Sequence, residues 1–280
     1  FLTTHSNHFL DLTLDLPDVS VYTLEKEIDQ SHSGKERPAK FHVRQVSRDD
    51  RKPLELLGVR NSSVFLSNCT IWVEGITDRR YIAHWLKLYQ EHDLQMTPKP
   101  KVFKEDLHYS FVEYGGGNIT HFSFLDDDEM DPSEKGILVE RLCSKLFLIT
   151  DADGDKKKDR QAILAKRLGA RYCCLPGREI ENLISPEVLQ KVLVAYGEKE
   201  PPLFTHKSYM SFKLAKIIDD KLGENRKRKG TYADEYGVLK GKVSFCEKAV
   251  VATQSWQDVS AESKALVESV YQFIASMNPK

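Results

Sequence analysis

Between residues 70 and 175 the chain alternates short apolar runs with stretches of helical spacing. Thr70 to Val73 is apolar and strand-like, Gly75 follows as a turn, and Tyr81, Ile82, Trp85, Leu86 and Tyr89 then recur at the three- and four-residue intervals of one helical face. That spacing predicts a helix starting at Thr77 or Asp78. The pattern repeats downstream. YSFVEY and LFLIT (Leu146–Thr150) read as strands, Lys157–Leu168 as a helix with Ile163, Leu164 and Leu168 inward, and RYCCL as the next strand. Short apolar runs bounded by Gly and charge are the mark of buried parallel strands, and strand-helix alternation predicts a parallel sheet with right-handed crossovers.

Outside this stretch the pattern changes. VSVYTLEKE and FHVRQVSRD alternate as strands, Glu91–His108 reads as a loop around Pro98 and Pro100, and Asp126–Glu134 as a solvated acidic loop. Gly115, Gly116 and Gly117 follow a strand and suit either a flexible turn or a close backbone approach to a ligand. Beyond PGREIEN, Ser185 and Pro186 form a helix start with Ser as the cap. From Val188 onward the spacing is mostly helical, broken by EKEPP and ENRKRKG, and it ends in a core-facing helix over roughly Ala261–Met277.

Composition adds little to this picture. The chain has 280 residues, 41 Lys plus Arg and 42 Asp plus Glu, for a net charge of -1, so a polyanionic partner would have to be met by local clusters. Five Cys without a CxxC pair, two of them adjacent in an apolar run, suit small buried thiols in a reducing compartment. No apolar run reaches membrane-spanning length. The expectation is a soluble, cytoplasmic protein. A first residue Phe1 at an apparent strand end suggests a piece of a longer chain.

Charge becomes informative at the strand ends. LFLIT runs into DADGD, which sets Asp151 and Asp153 at the carboxyl end of a strand, where ligands of open α/β sheets gather. Carboxylates so close cannot all stay ionised without basic groups or a cation nearby, and Mg²⁺ is the usual hard partner. Glu74 ends another strand, with Asp78 in the first helical turn. Glu179 and Glu181 would point the same way if REIEN is extended. The plainer alternatives are an Asp-Gly turn after Thr150 and a helix-capping role for Asp78.

EGITD, DADGD and REIEN in this order resemble the Toprim domain, and more narrowly the OLD (overcoming lysogenization defect) family of nucleases, in which Toprim follows an ATP-binding-cassette ATPase. The opening TTHS resembles the end of such an ATPase, with His5 at the place of its switch histidine. No GxxxxGK[ST] loop is present, so ATP would bind only through a missing part of that lobe. The resemblance implies a Toprim-type α/β fold, a parallel sheet flanked by helices. It would have an ATPase tail at residues 1–66, the catalytic domain at 67–190 and a mainly helical region at 191–280.

It further implies Mg²⁺- or Mn²⁺-dependent hydrolysis of DNA phosphodiesters, by nicking, endonucleolytic or exonucleolytic cleavage, in a homodimer or higher oligomer acting against phage or foreign DNA. Glu74 would be a ligand or general base, and Asp78, Asp151, Asp153, Glu179 and Glu181 would hold one or two ions. Lys242, or else Lys240, would stabilise transition-state charge. Lys156, Lys157, Lys158, Arg226, Lys227 and Arg228 form the basic runs available to DNA phosphates, with little base readout.

Two rival readings stand beside this. An apolar strand ending in DxDG also resembles the haloacid-dehalogenase phosphatases, with IIDD (Ile217–Asp220) as a distal acid pair, but Asp155 replaces the expected Thr or Val and EGITD is left unexplained. The other is a catalytically silent DNA-binding or dimerisation module of an ATPase. An EF-hand fails because Lys156 stands at the loop's sixth position and Ala162 at its twelfth.

Overall fold

A computed structural model describes residues 20–28, 39–46, 67–93, 101–115, 122–123, 137–138, 145–152 and 158–279. The chain divides into two compact units, Phe1–Ser67 and Asn68–Lys280. In the first, strands β1 (Val21–Ile28) and β2 (Ala39–Val46) pair antiparallel, with Val21 opposite Val46 and Ile28 opposite Ala39. His5 lies outside the described residues.

The second unit is α/β. Strands β3 (Thr70–Val73), β4 (Ser110–Glu113), β7 (Leu146–Thr150) and β8 (Tyr172–Cys174) form one parallel sheet in the order β4-β3-β7-β8. A separate short parallel pair joins β5 (Phe122–Ser123) and β6 (Ile137–Leu138). The four apolar runs expected as strands thus form the sheet, because all its residues must be covered on both faces. Alternation sorts the side chains. Ile71, Val73, Phe147 and Ile149 join the main core, while Trp72, Leu146 and Leu148 are buried on the opposite face.

Helix α1 (Ile76–Asp93) follows β3 directly and buries Tyr81, Ile82, Trp85 and Leu86. It starts one or two residues earlier than the apolar spacing implies. The Gly75 carbonyl accepts the Arg79 N–H, and the Asp78 carboxylate accepts the Gly75 N–H at 2.9 Å, so the turn is satisfied ahead of the first apolar position. Helix α2 (Lys158–Leu168) buries Leu164 and Leu168, although Ile163, expected inward, is exposed. Ile163 is flanked by a buried residue one step on, so the inward stripe is narrower than the apolar run.

Helices α3 (Pro186–Ala195), α4 (His206–Tyr209), α5 (Leu214–Leu222), α6 (Lys242–Ala252) and α7 (Ala261–Met277) complete the unit. Ser185 caps α3 by accepting the Val188 N–H, as its place before Pro186 implies. Helices α6 and α7 both pack on α1, burying Phe245, Ala249, Val267, Val270 and Ile274 in the same core as the sheet. The helical C-terminal portion is therefore continuous with the sheet's core. Removing the interior side chain in Ile149→Ala should lower unfolding free energy by about 2–5 kcal/mol. Val251→Ala, on the exposed side of α6, should change it by less than about 0.5 kcal/mol; urea titration checks both.

Candidate metal centre at the carboxyl end of the sheet

Strands β3 and β7 end at the same level. Their register pairs Trp72 with Leu148, which carried forward sets Glu74 beside Thr150 and brings Asp151 to the same sheet edge. Several bonds fix this edge. The Gly115 N–H donates to the Glu74 carbonyl at 2.9 Å, and the Tyr114 hydroxyl reaches past β3 to donate to the Ile149 carbonyl at 2.9 Å. The Asp151 carbonyl accepts the Gln161 side-chain amide at 3.1 Å from α2. With its backbone anchored, the Asp151 side chain has one buried oxygen, Oδ1, without a hydrogen-bond donor among the described residues.

REIEN is not extended. Ile180–Leu183 forms a turn of 3₁₀ helix, with Glu179 as its cap. The condition under which Glu179 and Glu181 would point the same way, an extended backbone, is not met, because Asn182 closes a capping box. Its side-chain oxygen accepts the Glu179 N–H at 3.0 Å, and its amide donates to the carbonyls of Tyr209 and Phe212. Gly177 is required just before this turn, since a Cβ there would lie 2.9 Å from the Met210 sulfur and 3.0 Å from the Asn182 Cβ. The turn still brings both acids to one cation: Lys242 Nζ stands 2.7 Å from Glu179 and 3.9 Å from Glu181.

Lys242 is the first residue of α6, behind Gly241 in the left-handed region. A cation at a helix N-terminus opposes the helix dipole, so the acids rather than the helix account for its position. Lys240 lies elsewhere, its ammonium donating to the Thr231 hydroxyl at 2.7 Å. Between the two lysines considered, the acids meet Lys242.

Burial dominates the electrostatics. Asp78 is pushed up to about 7, first by burial and then by Glu181 and Glu74, against the pull of the Gly75 N–H. Asp151 is pushed up to about 9 by burial and by Asp78, Glu74 and Glu181, with Lys242 opposing. Glu181, 2% exposed, is raised by burial against the opposing pull of Lys242, its own backbone N–H and the Thr77 hydroxyl. Burial alone would lower the Lys242 ammonium, but Glu181 and Glu179 together hold it above its ordinary value. Asp78, Asp151, Glu74 and Glu181 thus feel one another directly.

Among the described residues no group of three or more His, Cys, Asp and Glu side chains could hold a metal ion as it stands. Two causes are visible. Glu179 is engaged by Lys242 and by its own cap, and Asp153 lies outside the described residues. The donor set nevertheless fits a hard divalent cation, being all oxygen, with a buried Asp151 oxygen that lacks a donor among the described residues.

The basic runs divide. Lys156 and Lys157 lie outside the described residues, and Lys158 opens α2. Arg226 pairs with Asp219 at 3.0 Å, and Arg228 lies over the rings of Tyr196 and Tyr232 at 4.6 and 4.7 Å, leaving Lys227 exposed. Asp219, one of the distal acids in the phosphatase reading, accepts the backbone N–H groups of Tyr232 and Ala233 as well. It serves the 226–233 loop. Asn182, Tyr114 and Gln161 were not singled out by sequence reasoning. The spacing from Glu179 to Asn182 is a capping signature that could have found the first; nothing local marks the other two.

Fold and site together define an α/β unit with a buried acidic cluster at the carboxyl end of a parallel sheet. A scan of protein-family models and searches of curated proteins and solved structures return no match to this chain.

The raised carboxyl groups set a sign for stability. A carboxyl whose folded value is raised binds its proton more tightly in the native state, so stability from Asp78, Asp151 and Glu181 is full below about pH 4 and declines as pH rises toward 9. Lys242 keeps its contribution across this window, since it is lost only at more alkaline pH. Asp151→Asn should therefore raise the melting temperature of metal-free protein relative to the parent, by a margin that grows from pH 5 to pH 9. Calorimetry across that range checks it; a margin that shrinks with pH would contradict the coupling.

Proposed function

We propose that this chain carries a Toprim-type, OLD-like nuclease centre that hydrolyses DNA phosphodiesters with Mg²⁺ or Mn²⁺, attached to the tail of an ATP-binding-cassette ATPase. The observation that supports it most is the convergence of Asp78, Asp151 and Glu181 near Glu74 at the carboxyl end of the sheet, with Asp78 and Glu181 buried, Asp78, Asp151 and Glu181 all raised, and a buried Asp151 oxygen without a donor among the described residues. A fold does not hold such a cluster for its own stability, since each buried carboxyl without a partner costs free energy. Asp78, Asp151 and Glu181 would hold the cation, with Asp153 and Glu179 as further donors. When bound, it would neutralise charge developing on the phosphoryl group and favour deprotonation of water.

The chain's own groups do the remaining work. Glu74, at the strand end, would accept the proton of the attacking water. Lys242 would turn its ammonium from Glu179 toward the phosphate, offsetting negative charge on the transferring group. Lys227 and the Lys156–Lys158 run would meet neighbouring phosphates without reading bases. The parent assembly would be a homodimer or larger, acting in the cytoplasm against foreign DNA. Among the described residues no helix is long and apolar enough to cross a membrane.

Plasmid nicking in Mg²⁺ or Mn²⁺ tests this reading. Asp151→Ala and Glu74→Gln should abolish relaxation of supercoiled DNA, and Lys242→Ala should slow it by about 10²–10³-fold. Lys240→Ala should leave the rate near that of the parent. Equal nicking by parent and Asp151→Ala would remove these residues from any nuclease role.

A further inference from the structure

We infer that Phe212 and Tyr236 form a stacking platform for unpaired bases of a DNA strand whose backbone reaches the acidic cluster, an inference that rests on the nuclease reading above. Both rings are turned to solvent, at 56% and 71% exposure, in a protein that buries most of its aromatic side chains. Lys213 joins the segments that carry them. The Lys213 ammonium, one residue from Phe212, donates to the Tyr236 carbonyl, and the Lys213 side chain lies 2.8 Å from where a Cβ on Gly237 would stand.

The loop that presents Tyr236 is held rigidly. The Asp234 N–H donates to the Val238 carbonyl at 2.9 Å, and one Asp234 carboxylate oxygen accepts the N–H groups of Tyr236 and Val238 at 2.9 and 2.7 Å. A bridge between Ala233 and Leu239 and a bond from the Lys240 N–H to the Tyr232 carbonyl close its base. A ring fixed in this way is presented without the entropy cost of ordering a flexible loop.

The backbone that carries each ring leads back to the acidic segment. The Phe212 carbonyl accepts the Asn182 amide at 2.9 Å, and Asn182 accepts the Glu179 N–H. Tyr236 precedes Lys242 by six residues, a reach of at most about 20 Å. A strand entering at Lys242 would therefore pass the rings within a few nucleotides.

Charge selects the occupant. Residues 205–242 contain ten Lys and Arg against five Asp and Glu, a net +5 in a chain whose total is -1. Glu235, beside Tyr236, is among the opposing charges. Lysines interleaved with separated aromatics suit a polyanion that carries flat apolar groups, whereas a protein partner calls for a contiguous apolar patch. A duplex hides its base faces within the stack. An unpaired strand exposes them.

The test uses the full chain carrying Asp151→Asn, which keeps DNA intact, with fluorescence anisotropy of a labelled single-stranded oligonucleotide and of its duplex. Phe212→Ala and Tyr236→Ala should each weaken single-strand binding about tenfold, Tyr236→Phe should restore it, and duplex binding should change less than about twofold. Val251→Ala, an exposed apolar residue on α6, should have no effect, and circular dichroism reports whether each variant is folded. Unchanged single-strand binding, or equal losses on both DNAs, would overturn the platform. If the parent nicks plasmid DNA while binding ignores both rings, this inference fails alone; if the parent neither binds nor cleaves DNA, the nuclease reading falls with it.

Discussion

The constraint on which the second unit depends is the burial of several carboxyl groups at one edge of a parallel sheet. Like charges in a low-dielectric place repel, and burial disfavours each ionised form, so Asp78 and Asp151 hold protons well above the ordinary carboxylate range. The surroundings supply limited relief. Gly75 donates one N–H to Asp78, and Lys242 reaches Glu179 and Glu181 across the edge. One buried Asp151 oxygen still lacks a donor among the described residues.

The packing around this edge keeps the acids from moving apart. Strands β3 and β7 end level because their register is set by fully buried partners, and a slip in either would move apolar side chains out of the core. Tyr114 and Gln161 hold the end of β7 from the β4 side and from α2. On the other side, Asn182 joins the Glu179 turn to Tyr209 and Phe212, so the third acidic segment is carried by the helical portion rather than by the sheet. Sheet and helices share one core, and this continuity lets α6 present Lys242 to acids that precede it by about sixty residues. Local stability is thereby linked to proton or cation occupancy, the linkage through which a ligand alters such a site.

Much of the architecture was legible from residue pattern. The strands at Thr70–Val73 and Leu146–Thr150 and the helix at Ala261–Met277 lie where apolar spacing places them, because buried elements must match their period to the face they cover. Glu74, Asp78 and Asp151 could be expected at strand ends for the same reason. Whether REIEN was extended could not be read from its pattern, because the decisive group, the Asn182 side chain, competes for backbone donors locally and forms a turn. Arg226 and Arg228 looked like free basic charge in sequence. Their pairing with Asp219 and with two tyrosines depends on how the 226–233 loop folds back.

The sequence by itself therefore determined the element types, the alternation that builds a parallel sheet, and which acids stand at strand ends, since these follow from periodicity within a few residues. Tertiary structure alone decided that Lys242 rather than Lys240 meets Glu179 and Glu181, and that Asp78, Asp151 and Glu181 share one buried environment. Those relations join residues 30 to 103 positions apart. They arise from packing and the loss of solvent, neither of which leaves a periodic trace along the chain.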